Sequence, residues 1–417
     1  MNWQRKGILV FCVILLVVFL KVPALLAGEP GPASTPTREA AAIEEPAPIL
    51  KWFERMRFFG DFRLRNLVEW TEPLGSTNTN TLQQFRLRLA NETKIGDQWM
   101  VGARFVSGAS YLRGAVDIGW NSTRTALQTM TNTFSTKMLN LDWAYAKWTP
   151  FEWFSVKGGK FATPFYKLEE FLFDHDVAFE GVTAHLNFNF EMIDIGEFSL
   201  FFTSGAFPLE RAGNYPVAAW NVDPILAAVQ GGFKLSLEDF YWKAAVAYWD
   251  FAHVQNKPLV GSAGTNTGNG VAIDNVRYDF RPISVTSEIE MLIPFVDFPG
   301  GLFGEFVYNT DSPNDDIGWF AGARVGHKKA VEQGKWYVLG SYLKLERDAW
   351  LDEFPNLSFH QGQTNVEGVN VRAILALWDN VMFGIDAYLT ERIGPDVNGG
   401  GQGDRDDLFI TDLIWNF

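Results

Sequence analysis

Cysteine is almost absent from this chain. The single cysteine, Cys12, lies in an apolar run close to the N-terminus, and the remaining sequence has none. A chain without thiols beyond that run has no disulfide framework, no thiolate metal site and no cysteine nucleophile. Small disulfide-held folds and cysteine enzymes are therefore excluded.

Positive charge is also scarce. The 35 lysine and arginine residues stand against 49 aspartate and glutamate residues, which gives a formal net charge of −14. Affinity for nucleic acid depends on basic patches that neutralise phosphates, so we expect no nucleic-acid partner. Only 20% of the residues are charged, while 15% are aromatic and 38 are glycine.

Sequence motifs of enzymes and metal sites are missing. The five histidines lack HExxH spacing, and the chain has neither a GxSxG nucleophile elbow nor a phosphate-binding Walker loop. Two stretches, 310–316 and 399–407, combine carboxylates with glycine, serine or asparagine and resemble calcium loops, but we interpret them as solvated loops. We expect no enzyme, no cofactor and no metal.

The N-terminal 27 residues predict an export signal. Arg5 and Lys6 precede an apolar run from Ile8 to Leu20, and small residues near Ala27 form a cleavage site. The alternative is an uncleaved anchor, but 13 apolar residues are few for a spanning helix. Residues 28–57 are rich in Pro, Ala and Glu at first and predict a disordered linker or short periplasmic segment.

From residue 58 to residue 417 the apolar pattern has a period of two, which indicates strands rather than helices. We predict sixteen strands, with a reduced count of fourteen if a weak pair is lost. They are Phe58–Glu69, Leu82–Ile95, Trp99–Ser107, Asn140–Thr149, Phe154–Phe161, Gly181–Phe190, Glu197–Thr203, Ala228–Leu237, Tyr241–Phe251, Ile283–Ile293, Leu302–Asn309, Gly318–Val325, Trp336–Glu346, Asn365–Ala376, Val381–Arg392 and Asp407–Phe417.

The links between these strands alternate between short and long. Links such as "GD", "ED" and "DN" alternate with links such as 108–139 and 162–180, although 310–317 and 326–335 are intermediate. Short periplasmic turns and long extracellular loops are typical of outer-membrane barrels. The sequence therefore predicts an all-β, transmembrane, antiparallel up-and-down β-barrel that occupies residues 58–417.

Charged residues within the strands identify the inner face. In "GDFRLRNLVEW" and "QQFRLRLANET", arginines alternate with Phe and Leu. An unpaired charge is costly to bury, so we expect the apolar side chains to face lipid and the arginines to face a water-filled lumen. The predicted pore-lining arginines are Arg63, Arg65, Arg86, Arg88, Arg104 and Arg372.

Several of these segments together resemble a known family. "GDFRLR" opens the barrel, "FRLRLANETKIGDQWMVGARF" covers the second hairpin, "LDWAYAKWTP" and "GGKFATPF" follow, and an aromatic strand ends in Phe417. The set resembles the putative porins of Gram-negative outer membranes, which are similar in architecture to the trimeric general porins. The resemblance implies a homotrimer in the outer-membrane bilayer, with passive diffusion of small hydrophilic solutes. It also implies that Phe417 is a signal read by the barrel-assembly machinery.

The resemblance implies that the third long loop, 162–180, folds into the lumen and narrows it. Its acidic residues are Glu169, Glu170, Asp174, Asp176 and Glu180. We expect them to face the basic wall and to create a transverse field, with the aromatic side chains Phe165, Tyr166, Phe171 and Phe173 fixing the loop. Two alternatives stay open. The loop could cover the mouth instead, and the arginines could pair with wall acids such as Glu69, Glu92 or Asp142.

Lys157 and Lys160 lie three positions apart in one strand, so a regular strand would point their side chains to opposite faces. A bulge at the two intervening glycines would return both side chains to the lumen, whereas a regular strand would leave one lysine on the outer face.

The predicted function is a passive diffusion channel for small hydrophilic solutes and ions in the outer membrane. The first rival is a substrate-specific channel for sugars or acidic metabolites. A rival of another class is a barrel hydrolase resembling outer-membrane phospholipase, with His185 or His327 beside a serine. A structural anchor through residues 28–57 is a further alternative.

Overall fold

The computed structural model describes residues 53–72, 78–108, 127–130, 134, 136–168, 171–192, 195–209, 222–257, 259, 265–266, 276–293, 298–395, 401 and 403–417. The predicted signal peptide 1–27 and most of the predicted linker lie outside them. Among the described residues, no helix is long and apolar enough to cross a bilayer.

The chain forms sixteen long strands and one strand of two residues. They are β1 (Met56–Glu72), β2 (Asn78–Ile95), β3 (Trp99–Ser107), β4 (Gln128–Thr129), β5 (Leu139–Phe151), β6 (Phe154–Ala162), β7 (Ala178–Met192), β8 (Gly196–Pro208), β9 (Ile225–Leu237), β10 (Phe240–Ala252), β11 (Pro282–Ile293), β12 (Phe298–Asn309), β13 (Ile317–Gly326), β14 (Trp336–Leu345), β15 (Val366–Trp378), β16 (Val381–Arg392) and β17 (Arg405–Asn416). A short 3₁₀ helix, His360–Gly362, precedes β15.

The strands close into one antiparallel barrel. Each long strand pairs with its neighbours in the sequence, β3 pairs with β5, and the short β4 pairs only with β2. The ring closes where β1 pairs with β17, from Asp61 opposite Asn416 to Glu72 opposite Arg405. The predicted barrel of about sixteen strands is confirmed. The first strand begins at Met56, two residues before the predicted Phe58.

The burial pattern is inverted relative to that of a water-soluble sheet protein. On β2 the side chains of Arg86 and Arg88 are each 5% exposed, whereas Leu89 is 42% exposed. Large apolar side chains stand on the outside of most strands, where water would be a poor solvent for them. Hydrocarbon suits this outer face, and a closed barrel leaves no strand edge unpaired in it.

The strand β6 contains no bulge at its two glycines. Lys157 pairs in register with Lys147 and Lys160 with Ala144, so Lys157 points inward and Lys160 outward. Gly159 has a φ of +122°, and a Cβ there would lie 2.2 Å from the Ala144 carbonyl oxygen, so this residue serves a close approach of two backbones. Of the two alternatives, the structure therefore has the regular strand, in which lysines of opposite parity lie on opposite faces.

The apolar core lies inside the barrel, at the end with the long loops. The segment 346–365, between β14 and β15, places Trp350 among the rings of Phe173, Trp249 and Phe251, at centroid distances of 5.3, 5.5 and 5.2 Å. Trp350 is completely buried. Loop segments thus fill part of the barrel with closely packed, buried apolar side chains, as in the core of a globular protein.

A buried polar contact fixes this loop segment to another loop. The Asp352 carboxylate accepts hydrogen bonds from the backbone N–H and the hydroxyl of Thr265, at 2.6 and 2.9 Å. The Asn266 side chain donates to the Trp350 carbonyl at 3.2 Å and accepts from the Asp352 N–H at 2.7 Å. Buried polar groups in this position are satisfied by each other, which holds the two loops in one arrangement.

Gly60 lies where the ring closes, and we expect it to tolerate no larger side chain. The Gly60 N–H donates to the Phe417 carbonyl oxygen at 2.8 Å, and a Cβ on Gly60 would lie 2.1 Å from the Arg88 carbonyl oxygen. We expect Gly60→Val to reduce the folded, heat-modifiable fraction in gel electrophoresis several-fold. The matched control is Gly340→Val on β14, where no atom lies within 4 Å of the new Cβ. Equal folding of the two variants would contradict the account of the seam.

The burial of Asp348 predicts that the stability of the packed segment 346–365 depends on pH. Asp348 is 3% exposed, and its Oδ1 atom has no hydrogen-bond partner among the described residues. Burial raises the pKa of Asp348 from 3.8 to about 7. At a pH between 3.8 and about 7, the Asp348 carboxyl is therefore protonated while the loop is packed, and it loses that proton when the loop opens. The free energy that holds segment 346–365 in place therefore falls as pH rises toward and through about 7.

We expect hydrogen exchange in segment 346–365, corrected for intrinsic rates, to show less protection at pH 8 than at pH 6. Asp348→Asn should abolish that difference because the amide carries no titrating proton. Asp315→Asn, which replaces an exposed acid on the neighbouring turn, should retain most of it, because burial is the main cause of the raised pKa of Asp348 and the Asp315 charge is a lesser one. A pH difference that survives Asp348→Asn would assign the effect to another group.

Candidate functional site

A cluster of arginines lines one side of the lumen. Arg63 on β1 lies directly opposite Arg86 on β2, and the next inward pair is Asp61 opposite Arg88. Alternation along each strand keeps these side chains on the inner face, while Phe62, between Asp61 and Arg63, turns to the other side. Arg104 and Arg372 occupy β3 and β15, opposite Ala90 and Asp386 respectively.

Two aspartates on the last strands pair with three of these arginines. Arg65 donates to both carboxylate oxygens of Asp412, each at 2.8 Å, and Arg63 reaches the same carboxylate at 3.5 Å. Arg372 pairs with Asp386 on the neighbouring β16. Bidentate pairing fixes the plane of the Arg65 guanidinium, which makes this part of the wall rigid.

Arg104 has its own partners on the side wall. Its guanidinium donates to Asp142 at 2.5 Å and lies over the ring of Trp143, 3.3 Å from the centroid. The alternative that the arginines pair with wall acids therefore applies to Arg104 and Asp142. Glu92, the second acid considered, instead accepts a hydrogen bond from Tyr145 at 2.5 Å.

The segment 163–177, here called the inner loop, lies within the barrel between β6 and β7. Phe165 packs against Trp249 of β10 at 4.8 Å, and Phe171 stacks on Phe320 of β13 at 5.7 Å. These contacts lie inside the wall, so the loop folds into the barrel rather than over its mouth. The aromatic side chains hold it there, as the sequence pattern suggested.

The acidic end of the inner loop touches the arginine wall. The carboxylate of Asp176 pairs with Arg88 and lies 3.7 Å from Arg86. Asp61 on β1 completes the group, 2.8 Å from Arg86 and 3.7 Å from Arg88. Two guanidinium groups and two carboxylates therefore join the inner loop to the wall at this level, and they neutralise each other.

Asp174 positions that end of the loop rather than facing the wall. Its Oδ1 atom accepts from the Asp176 N–H at 2.7 Å, and its Oδ2 atom accepts from the Leu357 N–H at 2.9 Å. Lys167 Nζ donates to the carbonyl oxygens of Phe173 and Asp174 at 2.8 and 3.1 Å. The inner loop is thereby fixed both to itself and to segment 346–365.

Glu180 does not belong to the inner loop, which corrects the sequence prediction. It lies in β7, opposite Lys160 on β6, and the two side chains form a salt bridge of 2.5 Å. Phe179, its neighbour, is buried inside, so Glu180 faces outward and 64% of its side chain is exposed. The strand begins three residues earlier than predicted, at Ala178. Glu169 and Glu170 lie outside the described residues.

An open space lies between the arginine wall and the inner loop. It has a volume of about 580 Å³ and is bordered by Arg63, Arg65, Arg86 and Arg372, together with Asp174 and Asp176. Among the described residues, eight lysine and arginine side chains and five carboxylates line it, so this part of the lining carries three surplus positive charges. This is opposite in sign to the net charge of the whole chain.

A second space of about 440 Å³ lies beside the other flank of the inner loop. It is lined by β7 to β10, with His185, Asn187 and Lys243 among the polar groups and Phe201 as an apolar wall. Lys243 lies 4.0 Å from the ring centroid of Tyr166, whose backbone is bracketed by the Gln230 side chain at 2.7 and 2.9 Å. The inner loop therefore separates two polar compartments.

Three of the carboxylates that pair with the wall arginines were missed in the sequence. Asp61, Asp386 and Asp412 belong to no distinctive motif. Asp61 alternates with Arg63 and Arg65 along the same strand, so its side chain belongs to the same inward face. This spacing could have identified it as an inward carboxylate. The structure also adds Lys328 and Lys329, from the link between β13 and β14, to the lining.

In the described part of the chain, neither candidate histidine of the hydrolase alternative makes a hydrogen bond to a serine. His185 Nδ1 lies 2.9 Å from the hydroxyl of Thr203, and His327 Nδ1 lies 3.2 Å from the Trp336 carbonyl oxygen. Ser155 on β6 lies opposite His185 in the sheet, but the histidine pairs with Thr203 instead. Within the described residues no three His, Cys, Asp or Glu side chains are grouped as metal ligands.

Comparisons with known proteins agree with the architecture. The sequence matches a family model described as putative porin over residues 68–282 and 270–398. No curated protein matches it. Among solved structures, Pseudomonas putida OprB at high pH is similar with a TM-score of 0.55 and 8% identity, covering 88% of this chain and 96% of that one.

Salmonella typhi OmpF, solved with daunomycin, has a TM-score of 0.48 and 10% identity, covering 87% of this chain and 97% of that one. At such identities a structural likeness concerns the fold alone. The family match extends over far more than half of the chain. Family and fold together support an outer-membrane porin, a channel rather than an enzyme. The chain belongs to the putative porin family.

Proposed function

We propose that this protein is a passive diffusion channel for small hydrophilic solutes and ions, and that its path runs between the arginine wall and the inner loop. The observation that carries the proposal is the open space of about 580 Å³ at that place, whose lining combines charged and polar side chains with apolar ones. Its volume falls in the range of roughly 300–1,000 Å³ of sites that hold small molecules.

The charges along the path favour anions in this proposal. Most of the wall arginines form an ion pair with an aspartate, and this pairing reduces the transverse field that the sequence predicts. The surplus of three positive charges in the lining still lowers the energy of a passing anion relative to a cation. Because the low-dielectric protein wall screens charges less than water does, even a small surplus is felt inside the pore.

The second candidate function is a substrate-specific channel for sugars or acidic metabolites. The second compartment favours it, because amide side chains such as Asn187 and Asn189 stand there beside the aromatic ring of Phe201. Polar groups beside an aromatic face are the features expected of a site that binds a sugar. Such a site would make transport saturable, whereas simple diffusion is proportional to concentration.

We also propose a homotrimer in the outer membrane, with Phe417 as the signal for the barrel-assembly machinery. The trimer and the signal rest on the family resemblance. Phe417 supports its role by position, because its ring is 60% exposed at the end of the seam while its backbone pairs with Gly60.

Liposome swelling separates the two candidate functions. Vesicles that contain the purified protein should swell in neutral sugars at rates that fall with solute size and rise linearly with concentration. Saturation, or competition by one sugar only, would favour the substrate-specific channel. An absence of swelling for every solute, with heat-modifiable and therefore folded protein, would contradict both.

The arginine wall predicts a change in ion preference. In Arg86→Ala with Arg88→Ala, Asp176 in the lining of the path and Asp61 beside it lose their cationic partners and become net negative charges. We expect the cation-to-anion permeability ratio, taken from reversal potentials in a salt gradient, to rise roughly several-fold because two charges change in a poorly screened position.

A matched control removes equal charge from the rims of the barrel. Arg57 and Arg405 have side chains that are 74% and 37% exposed, and Arg57→Ala with Arg405→Ala should leave the reversal potential nearly unchanged. An unchanged reversal potential in the wall variant would remove these arginines from the selectivity of the pore.

A further inference from the structure

The link between β13 and β14 is unusually long for its end of the barrel. Residues 327–335 form it, whereas residues 96–98 and 379–380 suffice for two other links at that end. Short links face the periplasm in barrels of this kind. A long link at this end needs an explanation other than joining two adjacent antiparallel strands, for which two residues are enough.

One end of this segment, here called the periplasmic strap, is packed against the inner wall. Val331 contacts an apolar cluster that includes Ala376, Met382 and Ile414. The Asn380 N–H donates to the Val331 carbonyl oxygen at 2.7 Å, and another backbone bond joins Gly334 to Ala376 at 2.9 Å. The strap therefore folds back into the barrel and is hydrogen-bonded there as part of the structure.

Its other end is held by charge. Lys328 Nζ lies 2.8 Å from Glu290 and 3.3 Å from Glu288, both on β11, and 3.9 Å from the ring centroid of Tyr241. These contacts are several strands away from the apolar cluster at Val331, which belongs to β15, β16 and β17. The strap is thus tethered at two separated points of the inner wall.

Lys329, between those two tethers, borders the 580 Å³ space together with Arg63 and Arg65. Its side chain is exposed, and among the described residues no carboxylate pairs with it. Most wall arginines have an aspartate within ion-pair distance, so Lys329 contributes an uncompensated positive charge at the periplasmic end of the path.

We propose that the periplasmic strap forms a second constriction of the pore and that Lys329 is its selectivity residue, favouring small anions such as chloride and carboxylates. This inference rests on the proposed channel function. The inner loop narrows the path at the level of Asp176, and the strap narrows it again at the periplasmic end. An unpaired ammonium group next to a narrow passage attracts anions and repels cations.

The test compares charge changes within the strap. In planar bilayers under a potassium chloride gradient, Lys329→Gln should lower the anion-to-cation permeability ratio about twofold, and Lys329→Glu should lower it further. The matched control is Lys335→Gln, because Lys335 pairs with Glu332 at 2.8 Å and does not border the space. That control should keep the wild-type ratio.

A chemical modification separates charge from bulk. Since Cys12 lies in the predicted signal peptide, Lys329→Cys gives a mature chain with one thiol. An anionic methanethiosulfonate reagent should lower the anion preference further, whereas a cationic reagent of similar size should restore it. Equal effects of the two reagents would mean that only bulk matters, and would overturn the role of charge.

The failures of this inference and of the channel proposal differ. Wild-type protein that conducts, with Lys329 variants that match the Lys335→Gln control, would overturn the role of Lys329 and leave the channel intact. Folded wild-type protein that passes no ions would overturn both.

Discussion

The closure of the sheet between β1 and β17 is the constraint on which the rest of this structure depends. Once the ring is closed, every long strand has two partners and the barrel separates two environments with different solvent properties. The outer face then carries Leu, Phe, Val and Trp side chains, because hydrocarbon surrounds it. The inner face holds charges that would be too costly to bury in an apolar core. The seam itself is narrow, and at Gly60 there is no room for a side chain.

Within this frame the lumen is divided rather than open throughout. Aromatic side chains from the inner loop and from segment 346–365 pack with the walls of β10 and β13 and fill the barrel on one side. The remaining path follows the arginine wall, where Asp61, Asp176 and Asp412 neutralise much of the positive charge. Pairing fixes the arginines in place and moderates the field that a solute meets. Conduction would then depend on the small charge surplus rather than on the number of arginines.

Features that depend on neighbouring residues could be predicted from the sequence. An apolar pattern with a period of two identifies the strands and their inner and outer faces, so the barrel and the inward arginines could be predicted from residues a few positions apart. The strand partners were not accessible in this way, since Arg65 and Asp412 are 347 positions apart and meet only through closure. Glu180 was misplaced because one polar residue at a strand end does not show where the loop stops. Whether Gly158 and Gly159 form a bulge stayed open, because glycine in a strand also allows close backbone approach and the sequence does not distinguish the two.

The central claim is that the space between the arginine wall and the inner loop is a continuous, water-filled path. Single-channel recording of the wild-type protein in planar bilayers tests it most directly. The account predicts stable, ohmic current steps, with a reversal potential in a salt gradient that indicates anion preference. Folded, heat-modifiable protein that inserts but gives no steps would contradict it, because the inner loop and the strap would then seal the barrel.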